Sequence, residues 1–273
     1  MEIFEVCRSI NGHLEAGDES TARDELIQLL DFHEKAKIDY SPLVNHLIRT
    51  TGLFPYLQPE TSIWQDRFAY SAFRVDMGGP KQAILHRDQA GLLKRLLEGE
   101  NIAVSAPTSF GKSLVIDGFI ALKRPNNIVI IVPTIALMDE TRRRLYRKFG
   151  SDYNVITTGD AEILDKNIFI FPAERAVNYI DRLDHIDLLV VDEFYKASAL
   201  FDPERAPELL RAILKLTAKA SQRYFLAPNI SSLLENVFTK GMTFINLLGS
   251  HTVFLERHEL FHLISNDREK GEA

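Results

Sequence analysis

After residue 80 the chain alternates short runs of β-branched and aliphatic residues with longer amphipathic stretches, and this alternation leaves few folds open. The runs are IAVS (102–105), IVIIV (128–132), NVIT (154–157), IFIF (168–171), LLVV (188–191) and RYFLA (223–227). Most are apolar at consecutive positions, so a strand made from them has to be covered on both faces. The stretches between them, such as ALMDETRRRLYRKF and ERAPELLRAILKLTAKA, repeat apolar residues at helical spacing. The pattern predicts an α/β fold with a mostly parallel, two-sided sheet.

Residues 1–80 read differently. SPLVNHLIRTTG has a serine cap at Ser41, Pro42 in the first turn, Gly52 to end the helix, and Leu43, Val44, Leu47 and Ile48 on one face. ESTARDELIQLLDFHEK and TSIWQDRFAYSAF are similar. MGGP at 77–80 is a turn signal and the expected boundary. The expected organisation is a small all-helical domain over 1–80, an α/β domain over 81–255, and an extension over 256–273. The aromatics Phe54, Tyr56, Trp64, Phe68 and Phe73 are expected to serve as core and protein-docking surface.

Thirteen acidic and seven basic residues lie in 1–80, so the net charge of −6 comes from that segment and the rest is balanced. An acidic total argues against nucleic-acid binding, but the larger domain escapes that objection. A single cysteine, Cys7, permits no internal disulfide and suits a reducing cytoplasm. The run IVIIVPTIALM is too short to span a bilayer, so no membrane role is expected.

One strand leads into APTSFGKS and then the helical KSLVIDGFIALK. A phosphate-binding P-loop reads G-x-x-x-x-G-K-S/T in this strand–turn–helix setting, its backbone N–H groups wrapping a triphosphate. Ala106 stands at the first glycine, then Pro107, Thr108, Ser109, Phe110, Gly111, Lys112 and Ser113. Gly111, where backbone and phosphate approach most closely, is present. Lys112 is expected to reach the outer phosphates of ATP and the Ser113 hydroxyl to ligate Mg²⁺. A second apolar run, LLVV, ends in Asp192 and Glu193. Asp192 supplies a carboxylate for the metal and Glu193 a base for the attacking water.

Taken in order, these segments resemble the first RecA-like lobe of superfamily 2 helicases, the DEAD/DEAH-box group. LHRDQAGLLKRLLEGEN looks like the segment before the P-loop, with Gln89 in place of the glutamine that reads adenine. APTSFGKS is close to the family's A-x-T-x-x-G-K-S/T variant, in which alanine replaces the first glycine. PTIALMDE (133–140), TTGD (157–160) and FPAERA (171–176) look like its backbone-contacting segments, and DEFY (192–195) stands where it writes D-E-x-H or D-E-x-D. The resemblance implies nucleic-acid contacts from Pro133, Thr134, Thr158, Gly159 and Arg175. It also implies that ATP is clamped between two lobes, the second supplying an arginine finger. Two departures stand out: FLAPNI (225–230) replaces the S-A-T coupling motif, and Tyr195 replaces the final histidine or aspartate.

The basic helix TRRRLYRKF (141–149) admits two readings, phosphate attraction or a solvated helix face. HELFH (258–262) matches the zinc helix of metalloproteases, with His258 and His262 as ligands and Glu259 as base. Its third ligand would have to come from a short acidic tail or from upstream. The expected function is an ATP-dependent helicase or translocase acting on single-stranded DNA or RNA, with DNA favoured. This chain would be its weakly hydrolysing first half, awaiting a second RecA-like lobe. The alternatives are a non-enzymatic, ATP-responsive module that docks a partner protein, and a zinc hydrolase.

Overall fold

A computed structural model describes residues 2–247, apart from 59, 61, 62, 80, 81 and 229. The HELFH segment therefore lies outside the described residues. Among those described, the chain divides into two compact units, 2–39 and 40–247. This division falls well ahead of the turn at 77–80.

The first unit is a pair of helices, α1 (Ile3–Glu15) and α2 (Glu19–Ala36). Asp18 caps α2 by accepting the Thr21 N–H, and Cys7, Ile10, Ala22, Leu26 and Leu29 are buried at helical spacing.

The second unit begins with α3 (Pro42–Thr51), capped by Ser41 and ended by Gly52 in the left-handed conformation, and α4 (Trp64–Ala72). A buried Asp66 receives Arg49, and Phe54 stacks on Phe73 at 4.0 Å, so α3 and α4 hold together. Strands β1 (Arg74–Val75) and β2 (Ala83–Ile84) pair antiparallel. Past them starts α5 (Arg87–Leu97), whose Arg87 N–H donates to Gly52 O and whose guanidinium donates to the Arg49 carbonyl. These bonds explain why α3 and α4 belong with the sheet.

The sheet has seven strands, all parallel: β3 (Ile102–Ser105), β4 (Asn127–Ile131), β5 (Asn154–Ile156), β6 (Asn167–Phe171), β7 (Ile186–Val191), β8 (Ala220–Ala227) and β9 (Thr243–Asn246). Their spatial order is β5-β6-β4-β7-β8-β3-β9. Between them run α6 (Lys112–Lys123), α7 (Ile135–Phe149), α8 (Ala173–Tyr179) and α9 (Ala206–Thr217). Consecutive residues of a strand face opposite ways, which builds two cores. Ile128, Ile130, Leu188 and Val190 pack with α5, α6 and α7, while Val129, Ile131, Leu189 and Val191 pack with α8 and α9. The two-sided burial that the apolar runs demand is met, and the fold is a RecA-like α/β lobe with helices ahead of it.

Six strands fall at or within a few residues of the expected runs, and β9 has no counterpart among them. It is a short edge strand, exposed at its two ends and half-buried between, with no apolar run to announce it. No described helix is long and apolar enough to cross a membrane.

One charged cluster ties two helices of this unit together. Asp117 on α6 is 1% exposed and is paired with Arg144 and, at 2.8 Å, with Lys148, both on α7. Removing the shared anion leaves two quarter-exposed cations facing each other. Asp117→Ala is therefore expected to cost about 2–4 kcal/mol, read as a lower urea midpoint with an unchanged slope.

Candidate functional site

Because every strand of the sheet is parallel, the loops after β3, β4, β5, β6, β7 and β8 all leave from one edge. Apart from Gln89, which stands at the start of α5, the expected site residues lie in these loops or at the helix starts beyond them. Strand order sorts them further. Thr158 and Gly159 come after β5, Arg175 after β6, and Pro133 and Thr134 after β4, three adjacent strands. Asp192 and Glu193 come after β7 and the phosphate loop after β3, with only β8 between them. Two strand spacings amount to roughly 10 Å.

The loop from Ala106 to Gly111 is held from below. Ala106 is fully buried, and its N–H donates to Ala227 O at 3.0 Å. Thr108–Phe110 form one 3-10 turn, with Phe110 packed into the core, and Gly111 takes φ +77°, a left-handed conformation that admits glycine freely. A methyl group there would come 2.8 Å from the Gln89 side-chain nitrogen. That amide is itself buried: its Nε2 donates to Phe110 O at 2.6 Å and its Oε1 accepts from His86 N at 3.0 Å. In this structure Gln89 clasps the loop to the start of α5. Lys112 folds back over the loop, donating to Ala106 O at 2.8 Å and Pro107 O at 3.2 Å. Ser113 is exposed at the start of α6.

The electrostatics tie the loop to the end of β7. Burial lowers the Lys112 ammonium below its usual range, and the Asp192 and Glu193 carboxylates oppose that fall. Burial raises Asp192, the Glu193 N–H on its Oδ1 at 2.9 Å pulls it back, the neighbouring Glu193 charge adds to the rise, and Lys112 counters it. Lys196 opposes the rise as well, so the carboxylate is largely desolvated with two lysines acting on it. The Asp192 carboxylate and the Ser113 hydroxyl both offer oxygen, the donor type that suits Mg²⁺. Glu193 sits at φ +51° and its carboxylate is bound by Lys196 at 2.6 Å, a pairing that no motif in the sequence announces.

On the other three strands, Thr158, Gly159 and Arg175 line one cavity of about 360 Å³ together with Phe171 and Tyr179. Arg175 reaches Thr157 O at 3.3 Å and lies beside Met138. Thr134 is exposed and caps α7 by accepting the Leu137 N–H, and Pro133 O accepts from Arg205 at 3.4 Å. The basic helix divides. Arg144 and Lys148 serve Asp117 and Arg142 reaches Asp139, whereas Arg143 and Arg147 are exposed. Two of the five cations of TRRRLYRKF are thus tied to α6, and the exposure of Arg143 and Arg147 is that of a solvated face.

Comparison with known proteins decides the family. A model described as DEAD/DEAH box helicase matches residues 86–227, more than half of the chain. The chain belongs to the DEAD/DEAH box helicase family. A second model, the Anti-bacteriophage protein B N-terminal domain, matches residues 1–67. Among curated relatives, Anti-bacteriophage protein B of Escherichia coli (strain K12) is 33% identical over 222 residues, covering 77% of this chain and 30% of that protein. DNA polymerase theta of Mus musculus is 28% identical over 167 residues, covering 56% of this chain and 6% of that protein. This helicase-family chain thus spans less than a third of the length of the curated relatives it matches. Among solved structures, the UvsW helicase from bacteriophage T4 superposes with a TM-score of 0.46 at 16% identity, covering 80% of this chain and 76% of that one.

Members of this helicase family use ATP. Among the described residues of this one, no group of three His, Cys, Asp or Glu side chains is placed to hold a metal ion. Gly111→Ala tests the loop: an L-residue in the left-handed region is expected to cost about 1–2 kcal/mol of stability. A lower urea midpoint with an unchanged circular dichroism spectrum would show it.

Proposed function

We propose that this chain is the nucleotide-binding first half of an ATP-dependent nucleic-acid helicase or translocase. One observation carries the reading. Lys112, in the loop after β3, and the Asp192–Glu193 pair at the end of β7 share a partly desolvated neighbourhood on one sheet edge.

In this reading the backbone N–H groups from Thr108 through Lys112 receive the phosphates of ATP. The Lys112 ammonium gives up the Ala106 and Pro107 carbonyls for phosphate oxygens. Asp192 and Ser113 would hold Mg²⁺, which supplies positive charge against the phosphate oxygens. Gln89 holds the loop's shape from behind and stands next to it for any contact with the base. Glu193 orients a water molecule and accepts its proton as the water oxygen bonds to the γ-phosphorus and the bond to the β-phosphate oxygen breaks. Thr134, Thr158, Gly159 and Arg175, with Pro133 shaping its loop, contact the backbone of single-stranded DNA or RNA, DNA being slightly favoured. A second RecA-like lobe, on the same polypeptide or a partner, completes the clamp. The helices ahead of the lobe dock a protein partner, and the work is done in the cytoplasm. The 33% identity to Anti-bacteriophage protein B supports a part in defence against phage.

Glu193→Gln is the direct test. It should leave Mg·ATP binding intact and slow single-turnover hydrolysis by about 10²–10⁴-fold; unchanged hydrolysis would remove Glu193 from the role. Lys112→Ala should abolish binding. Affinity for a fluorescent single strand should fall steeply between about 50 and 200 mM salt, and less steeply in Arg175→Ala.

A further inference from the structure

Lys196, the cation paired with Glu193, has no part in the hydrolysis proposed for this site. Glu193 begins a single 3-10 turn, Phe194–Ala197, closed by the Lys196 N–H on Glu193 O at 3.0 Å. The turn brings Lys196, three residues on, back toward Glu193. Its ammonium meets Glu193 Oε2 at 2.6 Å, with both side chains about 30% exposed. The turn is fixed from two sides. Phe194 is buried against Phe225 of β8 at 5.6 Å, and Tyr195 meets Phe201 edge-on at 5.3 Å. The left-handed backbone at Glu193 adds a further constraint on where its carboxylate points.

We propose that Lys196 is a latch on Glu193: the ion pair holds the carboxylate away from water, and each hydrolytic turnover has to open it. This inference rests on Glu193 acting as the base. A carboxylate oxygen occupied by the ammonium at 2.6 Å is not free to hold the attacking water, so the pair restrains turnover. Lys196 is a positioning residue, since it acts through the carboxylate it pairs with. A partly exposed pair of this kind is weak, which sets the size of the effect.

The test uses the whole chain with Mg·ATP in single-turnover experiments. Lys196→Met, which keeps the length and loses the charge, is expected to raise the hydrolysis rate constant ~2–5-fold with the ATP dissociation constant unchanged. Lys196→Arg, still able to pair, should return the rate most of the way toward wild type. A rate that is unchanged or lower in Lys196→Met, with binding intact, overturns the latch. The double variant Glu193→Gln/Lys196→Met separates the two ideas. It should be as slow as Glu193→Gln alone. If Glu193→Gln hydrolyses at the wild-type rate, the base assignment fails; if it is slow and Lys196→Met is not faster, only the latch fails.

Discussion

The constraint on which everything else depends is burial of the sheet on both faces. Strands such as Ile128–Ile131 and Leu188–Val191 expose apolar side chains alternately up and down, so neither face tolerates water. Covering both faces requires a helix after most strands, and a strand–helix–strand connection of this kind returns the chain parallel to itself. Parallel strands in turn deliver their carboxyl ends to a single edge. The convergence of Lys112, Asp192, Thr134 and Arg175 on that edge is thus a consequence of hydrophobic covering, and no contact among those polar residues has to pay for it. The order in which strands insert then decides which loops are neighbours: β8 and β3 beyond β7 give the phosphate loop and Asp192, while β4, β6 and β5 give the remaining loops.

Charge is what makes the β3–β7 end of that edge unlike the rest. Lys112 and Asp192 are each driven toward neutrality by burial and each drawn back toward charge by the other. Lys112 takes up two backbone carbonyls and Glu193 takes up Lys196, so the site satisfies its own ions with internal partners. In the function proposed here, a phosphate would have to displace these partners. Its affinity would then measure the difference between the bonds gained and those given up rather than the strength of either set. The Gln89 clasp adds two hydrogen bonds that hold the loop's turn against α5.

Much of this was legible in the residues, for definable reasons. Helix α3 could be read to its caps because Ser41, Pro42 and Gly52 each impose local geometry. α6 could be read because a glycine-lysine-serine turn separates it from an apolar run. β9 was illegible because its stability comes from pairing with β3, a contact distant in sequence, and its own residues are half-buried at best. The extra length of β8 was hidden by a polar Gln222, which is buried there because its side-chain nitrogen donates to the carbonyls of Leu96 and Glu100. Arg144 and Lys148 could not be told from their exposed neighbours, since Asp117 lies far away in sequence on another helix. Lys196 carries no signal of its own, because a lysine after D-E-F-Y has meaning only once the 3-10 turn sets it above Glu193.

The segment FLAPNI departs from the family's S-A-T pattern by losing both hydroxyls, and the structure indicates what remains of the connection. Ala227 O accepts the Ala106 N–H, which extends the β8–β3 ladder into the first residue of the phosphate loop. One step earlier, the fully buried Ser105 hydroxyl accepts the Ile230 N–H at 2.9 Å, and the Ser105 carbonyl accepts Leu247 N at 2.7 Å. A hydroxyl on β3 thus holds Ile230, beyond β8, where the family's pattern places hydroxyls on that segment itself. Motion of Ile230 would be felt at Ser105, adjacent to Ala106 and the floor of the phosphate loop. A hydrogen-bonded path between the two loops is therefore present despite the sequence change, carried by backbone bonds and one buried serine.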